Sequence, residues 1–570
     1  MKRYIKWGIG FFISPILLFI IVCILIYIPP VQSFLVGQTT RYASQTTGMD
    51  IRIGRLSLGF PLDLVVYDAL VIDYPDTILD VRQLTIEVQL LPLLKQQVEI
   101  DGVRLQQASV NTAELIEGMK LKGDLGELFL RSHGVALSPE TAMVNDLQLK
   151  DTHLFLSLAD TTAADTVVSE PTFWKIKLQR ADLSNVSFAM DMPLDTMDFR
   201  VAFGEASLRN GFIDLHKSAY TVGRFRIKRG AAAVNMGNTP LDEEGGIDPS
   251  HLAFNDINIG IDSIYYQGNH IRAHIREFGL KERSGLEIVS TGGRLVTDEQ
   301  TIRVPSLKIH TPDSYLTFEA DADWSLSSAN GNSGLRGRLM AEIGKSDLFK
   351  IIPHLPEEFV RSFPSAPLRI QAGIDGSLNQ LQFTGFNVTI PGSFEMRADG
   401  NLTDVLDSIS RRGNINLSAQ VQDMRFLSKL TEGVVIPSGT ALEGKLGLDG
   451  SEMQAGVVLK QDSGKVTLLA GYNLKGDKYH ADLKVDALNL NAFMPSDSLY
   501  MLSASLKAEG EGFDFFDSHT RMEASGGIAH LEYGSKVLSG ANLTASLKNA
   551  AAKVELGVKD NVMDVSYRSG

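Results

Sequence analysis

The sequence predicts a mostly β chain: an N-terminal transmembrane helix, then a long array of strands with a few short helices. Three observations predict it. A run without a charged residue, "WGIGFFISPILLFIIVCILIYI", extends from Trp7 to Ile28. Apolar and polar residues alternate with a period of two through most of the rest, as in strands with one apolar and one polar face. One strand pair also recurs roughly 80 residues later, which points to a stacked array.

Bulk properties set limits. The 570 residues exceed one ordinary domain, so several domains or an extended array are expected. Hydrophobic residues make up 44% and charged residues 21%, the balance of a folded chain rather than a disordered one. The net charge of −14 argues against a nucleic-acid partner, because such proteins present a basic face. The single cysteine, Cys23, lies in the apolar run, so no disulfide can form within the chain.

Residues 1–28 read as a cytoplasmic stub and a signal anchor. Lys2, Arg3 and Lys6 precede the apolar run, which is long enough to cross a ~30 Å hydrocarbon core. Trp7 and Tyr27 stand where interfacial aromatics belong, and the basic flank places the amino terminus in the cytoplasm. A cleaved signal peptide is the alternative. Against it, the core is long, and Pro29-Pro30 follow it instead of a small-residue cleavage site. Residues 29–48 predict a short helix, with Pro30 suited to its start and Gly48 to its stop.

Strands begin at residue 49, and 49–165 reads as one β region. "LTIEVQL" puts Leu84, Ile86, Val88 and Leu90 on one face. "VEIDGVRLQQASV" gives spaced pairs: Val98 and Ile100, Val103 and Leu105, Ala108 and Val110, with a slip at Gly102. "ELIEGMKL", Glu114 to Leu121, is a candidate helix. "LQLKDTHLFLSL" and "KIKLQRADLSNVSFAM" repeat the spaced pairs, divided by a polar linker that ends at Pro171. Residues 172–344 form a second β segment. Residues 345–363 form a helical insertion broken at Pro353, and 364–570 carry further strands. "MRFLSKLTEG" and "LNAFMPSD" read as similar short insertions. The chain stops directly after an alternating segment, so it is expected to be the amino-terminal part of a longer protein.

The recurring pair matches "RVPSLKIHTPDSYLTFEADADW" with "LQFTGFNVTIPGSFEMRADGNL". Phe383 corresponds to Val304, Phe386 to Leu307 and Val388 to Ile309. With one residue skipped at Tyr315, Phe394 and Met396 correspond to Leu316 and Phe318. Each turn carries Pro and Ser, as Pro312 and Ser314 or Pro391 and Ser393.

Chemistry-bearing patterns are weak. His270, His274 and Glu277 could share a metal on a helix, but their flanks alternate, and on a strand the histidines stand ~13 Å apart. "VGRFRIKRG" puts Arg224, Arg226 and Lys228 on one face, which suits a headgroup or partner site but equally a solvated face. "EGEGF" and "GNSGLRG" lack the context of a dinucleotide loop or a nucleophile elbow. The expectation is of no enzyme, no catalytic residue, no metal and no cofactor. The apolar faces either pack together as closed sandwiches or, if the sheet stays open, line a groove. Periodicity does not separate the two.

The anchor, "PPVQSF", "TGMDIRIGRLSL" and "VRQLTIEVQLLPLLKQQVEIDGVRLQQASVN", with its Leu93-Leu94 step and Ile100, Gly102, Val103 and Leu105, resemble the amino-terminal region of the AsmA-like superfamily, its TamB-type branch in particular. The resemblance covers Met1 to Asn111 and continues in style beyond. It implies an elongated, twisted repeat β-sheet forming an apolar groove. It also implies an inner-membrane protein held by residues 7–28, with the bulk of the chain in the periplasm. The implied role is outer-membrane biogenesis, carrying phospholipid acyl chains along the groove. An assembly factor for outer-membrane barrels with a BamA-related partner is the alternative, and an anchored structural β protein the third. The resemblance implies that such a partner would be met through a C-terminal part beyond this sequence. The groove candidates are Leu307, Ile309, Leu316, Phe318, Trp324, Phe383, Val388, Ile390, Phe394 and Met396.

Overall fold

The computed structural model describes residues 24, 28–59, 63–89, 100–112, 118–132, 140–158, 173–242, 245–327, 333–431, 434–514, 516–559 and 564–569. The expected anchor therefore lies almost wholly outside the described residues. Among those described, no helix is long and apolar enough to cross a membrane. Helix α1 (Pro29–Thr47) has proline at its first turn and ends at Gly48, whose φ of 76° only glycine adopts without strain. The rest is mostly strand, in two compact units, Met1–Gly292 and Gly293–Gly570.

Unit 1 holds β1 (Asp50–Gly59), β2 (Asp63–Asp73), β3 (Asp76–Val88), β4 (Ile100–Asn111), β5 (Met119–Ser132), β6 (Thr141–Leu158), β7 (Lys175–Met192), β8 (Met197–Asp214), β9 (Ala219–Met236), β10 (His251–Gln267), β11 (His270–Glu282) and β12 (Glu287–Ile288). Each pairs with the next, antiparallel except for the parallel pair β6–β7. Met119 to Leu121 belong to strand β5, so that part of the expected helix is corrected. Its Met, Leu and Lys support either structure, and pairing with β6 decides.

Paired residues share a face, so apolar rows can be followed strand by strand. Leu58 pairs with Leu64, then Ile86, Val103, Leu130 and Leu147. The row continues through Ala181, Leu208, Phe225, Ile261 and Ile275. A crease crosses these strands. Asp68, Gln107, Asp151, Asn185 and Arg229 each have φ near +50° at matching places. Neighbouring strands carry the extra residue together, so pairing survives while the alternation shifts by one. That is the physical origin of the spaced pairs Val103, Leu105 and Ala108, Val110. Gly126 faces the crease residue Asp151 so closely that a Cβ there would lie 2.7 Å from the Asp151 Cβ.

β13 (Ser290–Thr297) carries the boundary between the units. Unit 2 continues with β14 (Thr301–His310), β15 (Tyr315–Asp323), β16 (Gly334–Ile343), β17 (Leu368–Ser377), β18 (Gln380–Ile390), β19 (Phe394–Thr403), β20 (Arg412–Val421), β21 (Ala441–Asp449), β22 (Glu452–Gln461), β23 (Gly464–Asn473), β24 (Lys478–Asn489), β25 (Leu499–Glu511), β26 (Arg521–Tyr533), the short β27 (Lys536–Leu538), β28 (Ala541–Lys548), β29 (Ala551–Lys559) and β30 (Asp564–Ser569). All described pairs are antiparallel neighbours, and among the described residues none joins β14 to β30, so the sheet stays open.

Beside a 3-10 turn (Trp324–Ser327) after β15, helical pieces follow β16, β20 and β24, four strands apart. α2 (Lys345–Ile351) and α3 (Glu357–Ser362) come after β16, a 3-10 turn (Arg425–Lys429) after β20, and α4 (Leu490–Phe493) after β24. The repeat unit is thus four strands followed by a helical insertion of one or two pieces. Its first two copies share a bulge, between Val304 and Leu307 and between Phe383 and Phe386.

One detail of the sequence match is corrected. Val304 pairs with Ala320 and Phe383 with Gly400, so Leu316 is equivalent to Met396 and Phe318 to Ala398. The sequence match was two residues out along the second strand. A slip of two leaves every side chain on its own face, so alternation cannot detect it.

Candidate functional site

The candidate site is the apolar face of the unit 2 sheet. One row runs Leu316, Ala341, Ile370, Val388, Met396, Ala419 and Leu442. It continues through Leu459, Val466, Val485, Ala504, Ile528, Ala541 and Val558. Every member is apolar. Parallel rows contain Phe318, Leu339 and Ala372, or Ile415, Leu446 and Ala455. Four such rows at ~6.8 Å make a band roughly 20 Å wide, and the strands from β14 to β30 extend it over roughly 70 Å.

Burial shows that, among the described residues, this face has no second layer over most of its extent. In a sandwich, inward side chains would be sealed. Here Ile370, Leu417, Val457, Leu468 and Leu483 are only half-buried, and Leu446 and Met453 are 43% and 46% exposed. The opposite face is charged. Arg336 meets Asp375 at 2.9 Å, Arg369 meets Glu342 at 3.0 Å and Lys507 meets Asp482 at 3.2 Å, all exposed. The hydrogen bond that Arg336 donates to the Asp375 carboxylate raises the Arg336 pKa above its ordinary value. A cleft of about 620 Å³ among Asp482, Lys507, Glu509, Glu523 and Glu555 opens on this charged face. Its interleaved acids and bases are solvated, so it does not compete with the apolar face as a place for a nonpolar ligand.

The structure sorts the ten candidate residues. Leu307 pairs with Phe318, Ile309 with Leu316 and Val388 with Met396, all half-buried on the face. β16 and β17 connect these two groups into one surface. Phe383 lies on the same face opposite Gly400. Trp324 does not extend the strand: it opens a 3-10 turn (Trp324–Ser327), and its indole N–H donates to the Asp298 carbonyl at 2.8 Å. Ile390 is not an open-face residue. It is buried with Phe359, Phe363 and Phe426 beneath the helical pieces, and Phe394 pairs with it at that margin. Sequence reasoning missed Leu446, Met453, Leu468, Leu483 and Leu506, although their strands alternate as regularly as β15.

His270, His274 and Glu277 lie along β11, with His274 opposite Asp262 and Glu277 opposite Gly260. Among the described residues, no group of three His, Cys, Asp or Glu side chains could hold a metal ion. Arg224 and Arg229 face Asp262 and Glu205. No protein-family model matches the chain, and no curated protein matches it.

Proposed function

We propose that this chain is a membrane-anchored, non-enzymatic carrier of phospholipid acyl chains, which move along the open apolar faces of its sheets. The carrying observation is the unbroken apolar face of unit 2, which among the described residues is uncovered over most of its extent. Its area, on the order of 1,400 Å² from the dimensions above, is several times the ~300–600 Å² of a typical largest surface patch. Water exclusion favours filling it, and hydrocarbon does so without requiring a hydrogen bond. The ~20 Å width accommodates a tail as long as one leaflet, about half of the ~30 Å hydrocarbon core. The Trp7–Ile28 segment supplies the anchor in this reading. The TamB-type resemblance of the first 111 residues supports a periplasmic setting and a role in outer-membrane biogenesis.

The test places a photo-crosslinking residue at Leu446 or Leu506 in the anchored chain. Phospholipid adducts, identified by mass spectrometry, are the expected result. Adducts confined to the same chain would mean that the face is a closed core. Adducts to strands of other envelope proteins would instead support an assembly factor.

A further inference from the structure

The polar face of unit 1 carries a basic cleft. Between β6 and β9 this face is a grid of paired residues. One row runs Gln148, Asp182, Ser207 and Arg226, and the next runs Lys150, Ser184, Glu205 and Lys228. Arg180 and Arg209 pair in the row on the other side of the first. Strand alternation sets all of these opposite Leu149, Leu183, Ala206 and Ile227, which belong to the apolar face. The cleft holds about 420 Å³ and is lined by five cations, Lys150, Arg180, Arg209, Arg226 and Lys228, against two carboxylates, Asp182 and Glu205. That excess runs against the net charge of −14 of the whole chain.

Both carboxylates are already matched. Asp182 accepts hydrogen bonds from Arg180 and, at 2.6 Å, from Arg209. The Arg209 guanidinium also donates to the Ala181 and Leu208 carbonyls, which fixes it against the sheet. Glu205 accepts from Arg229 on the crease at 2.8 Å, and Lys150 pairs with Glu127 at 3.2 Å. Arg226 and Lys228 form no ion pair among the described residues. Arg226 stands between Ser207 on β8 and Gly260 on β10, so neither neighbouring strand sets a carboxylate directly across from it. Lys228 stands across from Glu205, whose carboxylate Arg229 holds. The Ser184 and Ser207 hydroxyls lie in the same cleft and add two donors.

We infer that this cleft binds a phosphate monoester. Two unmatched cations answer the charge of about −1.5 to −2 that such a group carries at pH 7, whereas a phosphodiester or a carboxylate brings a single charge. Its three terminal oxygens accept from Arg226, Lys228 and a serine hydroxyl together. Each exposed ion pair gains little, so affinity comes from several donors converging on one dianion. The cleft lies on the face opposite the apolar one, so its ligand is not a lipid carried there, and the site stands independently of the carrier reading. Phosphate of this kind is borne by soluble glycerol or sugar phosphates and by phosphatidic acid at a membrane surface.

Equilibrium dialysis of radiolabelled glycerol 3-phosphate against the full chain tests the site. Saturable binding is expected, with dimethyl phosphate displacing the label at least about tenfold less well than inorganic phosphate. The Arg226→Gln, Lys228→Gln variant is expected to bind at least about tenfold more weakly. The Arg200→Gln, Arg272→Gln variant removes two cations outside the cleft and should bind unchanged. Ser207→Asp, which sets a carboxylate across from Arg226, should also abolish binding, so the result does not hang on one substitution. Cosedimentation with vesicles of phosphatidic acid and phosphatidylcholine separates the two sources. Vesicle binding that needs Arg226 and Lys228, without binding of the soluble ester, supports the site and assigns its phosphate to a membrane surface. Equal loss in the two double variants, equal displacement by dimethyl phosphate, or binding of neither the soluble ester nor the vesicles overturns the site.

Discussion

Individual residues hold this architecture at points where the backbone departs from a plain strand. Asp298 organises the β13–β14 turn. Backbone N–H groups of Gln300 and Thr301 point at its carboxylate, as do the Thr301 hydroxyl and Arg303, and together they hold its pKa at about 2, below the ordinary 3.8. A carboxylate depressed in the folded state contributes stability that is full above its unfolded pKa and is lost as pH falls. The turn is therefore expected to stay intact down to pH 4 and to loosen between about pH 4 and pH 2. Amide shifts of Gln300 and Thr301, followed by NMR, would read this, and in Asp298→Asn that acid transition should vanish. Gln107 is the second such residue. Its φ of 51° disfavours any side chain and excludes a branched one in practice. Gln107→Gly is expected to stabilise unit 1 by up to about 1 kcal/mol, and Gln107→Val to destabilise it by about 1–2 kcal/mol, as measured by urea denaturation. The loss of the hydrogen bond from Arg82 to Gln107 opposes part of the first effect.

At the scale of elements, apolar side chains of the helical pieces and of the open strands meet two different fates, and mutation separates them. Phe426 is 6% exposed beneath α3, whereas Leu446, one strand further on, is 43% exposed. Phe426→Ala is expected to cost about 3–5 kcal/mol of local stability at the helical margin, visible as faster hydrogen exchange in α2 and α3. Leu446→Ala should change stability by less than about 0.5 kcal/mol, while lowering any lipid recovered with the protein. This contrast also marks how far sequence reading reached. Alternation in β15 and β18 was enough to assign faces, because side chains on a strand have no other freedom. Gly48 and Pro353 marked helix limits through their own backbone restrictions. What covers a face depends on residues far along the chain, so Ile390 and Leu446 were indistinguishable. Gln107 and Arg229 are not residues that usually announce a positive φ, and Asp68, Asp151 and Asn185, which are of types that do, mark the crease only once the pairing aligns them. The parallel β6–β7 joint follows a linker whose composition says nothing of strand direction.

For the molecule as a whole, an open amphipathic sheet should behave unlike a closed domain. An uncovered apolar face is expected to bind a hydrophobic dye such as ANS in the fully native state, with phospholipid displacing it. A ligand that binds only the folded chain at about 100 times its Kd should add about 2.7 kcal/mol, raising the melting temperature of unit 2 in a concentration-dependent way. Dye binding that appears only on unfolding would mean that the faces are closed in solution. The four-strand repeat with its helical piece has one more consequence. Each added module lengthens the apolar band by about 19 Å while bringing its own margin cover, so no existing contact needs redesign. Reach is therefore a heritable quantity that grows by gene duplication in fixed steps, and a lineage can set the length of the band by gaining or losing copies.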